Sequence, residues 1–256
     1  MKKLISIILI AFLTSSCAEL LQIAKSLNET NSNIGVSNSE NISGLKSSLN
    51  VGLEKAVNLL GTENGFYKDL AYKLLLPDEA QPIINNIKLI PGGQELVNKT
   101  VLSLNRSAED AVKEAIPIFK NAILNMTFSD ATNILFGADN AATEFLRKNT
   151  YAQLKDAFQI KVKQSLSKPL VANVSTTDTW NLLHNGYNSA AKSTLGKIAG
   201  LKEVNINIED YVSGKALDAI FMKIAIEEKL IRKDPIARTS ELLKKVFGQL
   251  DKKQMI

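Results

Sequence analysis

Reactive side chains are scarce in this chain. Its 256 residues hold one cysteine, one histidine and one tryptophan. A lone cysteine has no partner within the chain, which excludes an internal disulfide framework and a cysteine zinc site. The lone histidine, His184, cannot by itself complete a histidine-based metal site. There is no glycine-rich phosphate loop, no Gly-x-Ser-x-Gly and no His-Glu-x-x-His. Those absences count against common hydrolases and nucleotide enzymes, and neither a metal nor a cofactor is expected. The net charge of +5 includes Lys2 and Lys3, and the remaining basic residues are spread without a block. No clustered basic face follows, so nucleic acid is not an expected partner. After residue 13 no apolar run approaches the roughly 20 residues that span a bilayer.

What is present begins at the N-terminus. Met1-Lys2-Lys3 is basic, Leu4 to Leu13 is apolar apart from Ser6, and Thr14, Ser15 and Ser16 are small. That order marks an export signal, residues 1–16. Cys17 at its end resembles a bacterial lipoprotein site, where the thiol is lipidated and becomes the new N-terminus. Thr14 departs from the aliphatic residue usual three places before such a cysteine. The expectation is a periplasm-facing protein held to the membrane by lipid. Ala18, where an acidic residue is absent, favours the outer membrane by analogy with bacterial sorting.

From Asn28 to Asn41 the chain is rich in Asn and Ser and poor in large apolar groups. Such composition buries too little to offset the entropy of ordering, so residues 17–42 read as a flexible tether. The folded part is placed at 43–248, with a polar tail at 249–256. About 200 residues suffice for one core.

Helical periodicity dominates that region. Leu45, Leu49, Leu53, Val57 and Leu60 form one stripe, closed by Gly61. Tyr72 to Pro77 reads as an extended piece, and a helix begins near Pro82. Val97, Val101, Leu104, Ala108, Ala111, Ala115, Phe119, Ala122 and Met126 make one long helix with a small-residue seam. Pro117 should kink or break it. Thr127 with Asp130 resembles a capping box, and Gly137 ends that helix. Further helices carry Phe145, Leu146, Leu154 and Phe158, then Trp180, Leu183 and Tyr187, then Glu209 to Arg232. Asp234-Pro235 starts the last one, which Gly248 stops. Phe119, Phe145, Phe158, Phe221 and Phe247 fall at core spacing. The class is all-α, a single domain of about eight to ten helices.

Several segments resemble the bacterial "domain of unknown function 4197" family. They are Asn105-Arg106-Ser107-Ala108-Glu109, Met126-Thr127-Phe128-Ser129-Asp130-Ala131 and Gly137-Ala138-Asp139-Asn140-Ala141-Ala142-Thr143. Tyr211-Val212-Ser213-Gly214-Lys215-Ala216-Leu217-Asp218, Ala237-Arg238-Thr239 and Lys244-Lys245-Val246-Phe247-Gly248 continue the pattern. Asn205 and Asn207 stand where the family carries an acidic pair. The resemblance implies an exported, mostly helical domain without an assigned activity.

The candidate ionic and hydroxyl residues within the span of the resemblance, about Gly44 to Gly248, are Arg106, Glu109, Asp130, Thr143, Arg147, Arg232, Arg238 and Thr239. Arg106 and Glu109 share a helix face beside the small-residue seam, where a charge needs a partner. One reading is a structural ion network that fixes helix register. Another is a polar pocket for an anion or headgroup, with Arg106, Arg232 and Arg238 as donors. A third is acid–base chemistry by Glu109 and Asp130. His184 is six residues from Asp178, so on a shared helix the two face apart. His184 therefore reads as a helix-end residue touching carbonyls or water. Functionally these readings give a ligand- or partner-binding module, a structural assembly protein, or a carboxylate-dependent envelope hydrolase.

Overall fold

The computed structural model describes residues 35–129 and 131–253. The signal segment, Cys17, the stretch 17–34 and Asp130 lie outside the described residues. Ten α-helices and no strand occur among the described residues, so the all-α reading holds. A single antiparallel bridge joins Val171 and Val174.

Helix α1 spans Asn38–Leu60. It starts inside the stretch read as a tether. Ser37 Oγ accepts from the Glu40 amide at 3.2 Å, and Glu40 Oε2 accepts from the Ser37 amide at 2.9 Å. The polar residues thus serve as a capping box rather than as a solvated linker. Asn41 is buried, its Oδ1 accepting from Gln249 at 2.9 Å. Ordered structure begins at least five residues ahead of the expected boundary.

The single helix expected from Val97 to Met126 is two helices, α3 (Gly93–Val112) and α4 (Ala115–Asn125), after a short α2 (Gln81–Asn85). Pro117 lies in the first turn of α4, where its missing N–H leaves no hydrogen bond unmade. Helix α5 spans Ala131–Leu135, later than Thr127 would have begun it. Helices α6 (Ala141–Ser167), α7 (Thr176–Lys192), α8 (Thr194–Ile198) and α9 (Ile208–Lys233) follow. The last, α10, spans Glu241–Lys253 and runs through Gly248, the expected stop. Residues 249–253 are therefore helix, not tail, because Gln249 and Asp251 reach Asn41 and Arg238 across the fold.

Helix α9 is central, packed against α1 on one side and α6 on the other, while α3 packs against α6 and α7. Gly44, Ser48, Gly52 and Ala56 line the buried face of α1 at four-residue intervals. A Cβ at Gly52 would stand 3.2 Å from the Ile224 backbone, so that glycine sets how closely α1 and α9 approach. Phe119, Phe158, Phe221 and Phe247 are fully buried, and Phe119 meets Phe221 at 5.4 Å between ring centres. Phe145 departs from the core reading: it is half-buried and stacks on Phe128.

Two linkers are fixed by helix asparagines. The Asn105 amide accepts from the Leu74 N–H at 2.9 Å and donates to the Leu74 carbonyl at 2.7 Å. Asn188 does the same to Val204, at 3.0 and 2.9 Å. Each side chain supplies the donor and acceptor that a neighbouring strand would give.

Candidate functional site

The family-like ionic residues resolve into three groups that share no hydrogen-bond partner. In the first, the buried Glu109 on α3 accepts through Oε1 from the Phe66 and Tyr67 amides at 3.1 and 3.2 Å. Its Oε2 takes Arg106 Nη1 at 2.6 Å, and Arg106 also reaches Glu63 and Asn64. The pair closes the loop after α1.

The second group is the most enclosed. Glu228 on α9 has no exposed surface. It accepts from the Ala142 and Thr143 amides at 3.0 and 2.7 Å and from Thr143 Oγ1 at 2.6 Å, so it caps the start of α6. A carboxylate there meets the positive end of the helix dipole. Arg232, one turn later, donates to Glu228 Oε1 through Nε and Nη2 at 2.9 and 2.7 Å. Two further N–H groups reach the carbonyls of Leu135 and Ile134 at the end of α5, at 2.6 and 3.1 Å. Arg238 continues the chain. It donates to the carbonyls of Ile231 and Arg232 at 2.9 and 3.2 Å and grips Asp251 at 2.6 and 2.8 Å. These hydrogen bonds to Asp251 hold its carboxyl below the usual carboxylate range, against a smaller opposing effect of burial.

In the third group Arg147 meets Asp218 at 2.5 Å and lies over Tyr151 and Phe221. Burial, and then the Asp218 charge, raise the Tyr151 phenol above its ordinary value. Thr239 is exposed and joins none of these groups. Arg106 lies apart from Arg232 and Arg238, and the donors of the latter two are committed to carbonyls and carboxylates. His184 Nε2 sits 2.9 Å from the Val204 carbonyl. Asp178 caps α7 with Ser175 instead of facing His184.

A groove of about 630 Å³ lies between α4 and α6. Asn121, Asn125, Asn149 and Gln153 line it with Thr127, Ser129 and Thr150, and Ile118, Met126, Phe145 and Leu154 supply its apolar surface. None of its described lining residues is ionisable. Asn125 donates to Asn121 at 3.1 Å and Asn149 to the Phe145 carbonyl at 2.7 Å. These bonds use the Asn121 side-chain oxygen and the Asn149 amino group.

Sequence reasoning missed the groove, because its amides lie on helix faces that read as ordinary solvated surface. It also missed Asn105 and Asn188. Asparagine is a poor residue for a helix interior, and that was the signal available.

A family model described as "Protein of unknown function (DUF4197)" matches residues 35–248. No curated protein and no solved structure matches.

Proposed function

The chain belongs to the DUF4197 family, and from that premise we propose that its helical domain is a non-enzymatic binding module of the bacterial envelope. In this reading the export signal is removed, Cys17 carries lipid, and the domain works from the membrane on the periplasmic side. The basic, apolar and small-residue order of residues 1–17 supports that location. The observation that carries the binding reading is the groove between α4 and α6. Its described lining joins apolar surface to side-chain amides and hydroxyls and carries no formal charge. Such a lining suits a neutral ligand rich in hydroxyl or amide groups, because its polar edges are met while no buried ion is left unpaired.

The test is native mass spectrometry of the full-length protein extracted gently from the envelope, with side-chain amide NMR alongside. A neutral small molecule should co-purify, and Asn121→Ala with Gln153→Ala should lower its retention roughly tenfold. Added chito-oligosaccharide, which offers both hydroxyl and amide groups, should move the Asn121, Asn149 and Gln153 amide signals. A protein that is ligand-free and shows no such movement would sink the reading.

A second reading, assembly through a helix face, has one observation in its favour. Met222, Ile226 and Leu230 are 47%, 47% and 43% exposed at four-residue spacing along α9. It requires a concentration-dependent oligomer in sedimentation.

A further inference from the structure

A second, independent feature lies at the end of α7. From Lys192 to Gly200 every residue except Gly196 is exposed. At the crest are two bulky aliphatic side chains on the short helix α8, Leu195 at 79% and Ile198 at 78% exposure.

This protrusion is built, not frayed. Ser193 Oγ accepts from the Gly196 amide at 3.0 Å and caps α8. Gly200, at φ +72°, takes the left-handed conformation that ends it. The Leu201 amide returns to the Gly196 carbonyl at 2.9 Å and the Gly200 amide to the Lys197 carbonyl at 3.1 Å, the paired bonds of a Schellman stop. Gly196 is pressed against α7, since a Cβ there would meet the Ala190 carbonyl at 2.1 Å. The returning chain is bolted to α7 by Tyr187 Oη on the Lys202 carbonyl at 2.9 Å and by the Asn188 clamp on Val204.

Basic charge predominates around the crest. Residues 193–202 contain no acid. Lys197 and Lys202 are exposed and form no ion pair with a described residue. Lys192 meets only the exposed Glu203, at 3.1 Å. The crest has no aromatic and no arginine, the residues that anchor protein–protein contacts. Aliphatic side chains projecting beyond a lysine collar match the boundary between acyl chains and anionic headgroups.

We propose that the α8 protrusion docks on an anionic lipid surface, inserting Leu195 and Ile198 while Lys192, Lys197 and Lys202 face lipid phosphates. Two aliphatic side chains bind weakly alone, so the contact orients the domain on a membrane rather than holding it there.

The test uses the mature chain, residues 17–256, with Cys17→Ala, so that neither the apolar export signal nor an acyl chain is attached. An environment-sensitive fluorophore is placed at Ile198→Cys, or in a separate preparation at Lys244→Cys on α10. Vesicles of phosphatidylethanolamine with phosphatidylglycerol should shift the position-198 emission to the blue, and phosphatidylcholine vesicles should not. The position-244 label should stay unchanged. Lys197→Glu with Lys202→Glu should weaken the response about tenfold or more, with circular dichroism unchanged because both side chains are exposed. No shift at 198, an equal shift at 198 and 244, independence of lipid charge, or the same shift on self-association without vesicles would each overturn the proposal. None of these readouts depends on the α4–α6 groove.

Discussion

Glu228 and Arg232 are an ion pair taken almost wholly out of water, and such a pair is tolerated when hydrogen bonds meet most of its remaining donors and acceptors. Here both carboxylate oxygens and four of the five guanidinium N–H groups are met. The carboxylate receives two amides and a hydroxyl from the start of α6, and the guanidinium places two further donors on the end of α5. Glu228→Ala would leave Arg232 charged and buried without a counterion and expose two first-turn amides to an apolar surround. A loss of about 3–5 kcal/mol is expected, read by urea unfolding. Glu228→Met with Arg232→Met should cost less than the two single changes summed, because neither partner is then stranded. Additive losses would refute the coupling. In the sequence, Arg232 and Thr143 stood out by chemistry and by the segments that carry them. Their meeting did not, since Glu228 and Thr143 are 85 residues apart. Spacing along one helix made Arg106 and Glu109 neighbours on paper, whereas only the fold shows that their other contacts are the loop at Glu63 to Tyr67.

At the scale of elements, the α1–α9 contact depends on what α1 leaves out. Its leucines follow the helical period, so the helix and its buried face were legible from residue 45 onward. The complementary stripe of Gly44, Ser48, Gly52 and Ala56 was not read, because small residues carry no hydrophobic signal of their own. Yet the Gly52 position meets the Cα and carbonyl oxygen of Ile224, which are backbone atoms unable to swing aside. Gly52→Val should therefore push the helices apart and cost about 1–3 kcal/mol from overpacking. Gly52→Ala should cost less, since a helical alanine regains roughly 0.5–1 kcal/mol of backbone entropy. Thermal unfolding of both variants checks the order, and a Gly52→Val protein as stable as the parent would show that the interface is loose. Helix ends were less legible than helix faces. Ser37 and Glu40 looked like linker composition, and Gly248 looked like a stop. In both places contacts with distant residues, Lys245 to Glu40 and Arg238 to Asp251, decided the outcome.

Across the whole molecule, carboxylates tie together segments far apart in sequence. Asp110 on α3 receives Lys168 and Ser165 from the end of α6, Asp139 receives Lys233 of α9, Asp251 receives Arg238, and Glu40 receives Lys245 of α10. Burial raises the Asp110 carboxyl, but the hydrogen bonds from Lys168 and Ser165 and the nearby lysine charges outweigh it, so its value is lowered. The Lys233 hydrogen bond lowers Asp139, and Lys245 together with the Ser37 amide lowers Glu40 to about 2. Groups depressed in the folded state bind fewer protons there than in the unfolded chain. Their stabilisation is complete above the ordinary carboxylate value of about 4 and is lost as pH falls through the folded values. The opposite sign holds for tyrosine. Burial, then the charges of Asp78 and Glu79, push Tyr211 up to about 12, and its hydroxyl donates to the Leu75 carbonyl at 2.8 Å. Its stabilisation is present below the ordinary phenol value of about 10 and disappears as pH rises toward the folded value. Urea midpoints should accordingly form a plateau around neutrality with a fall on each side. The acid limb should flatten in high salt, because Glu40, Asp139 and Asp251 are solvent-facing pairs that salt screens. Tyr211→Phe should remove part of the alkaline limb and leave the acid limb in place, because the phenol is neutral throughout the acid range. An alkaline limb unchanged in that variant would assign it to other groups, Tyr151 first, whose value is raised by burial and by Asp218 on the same helix as Tyr211.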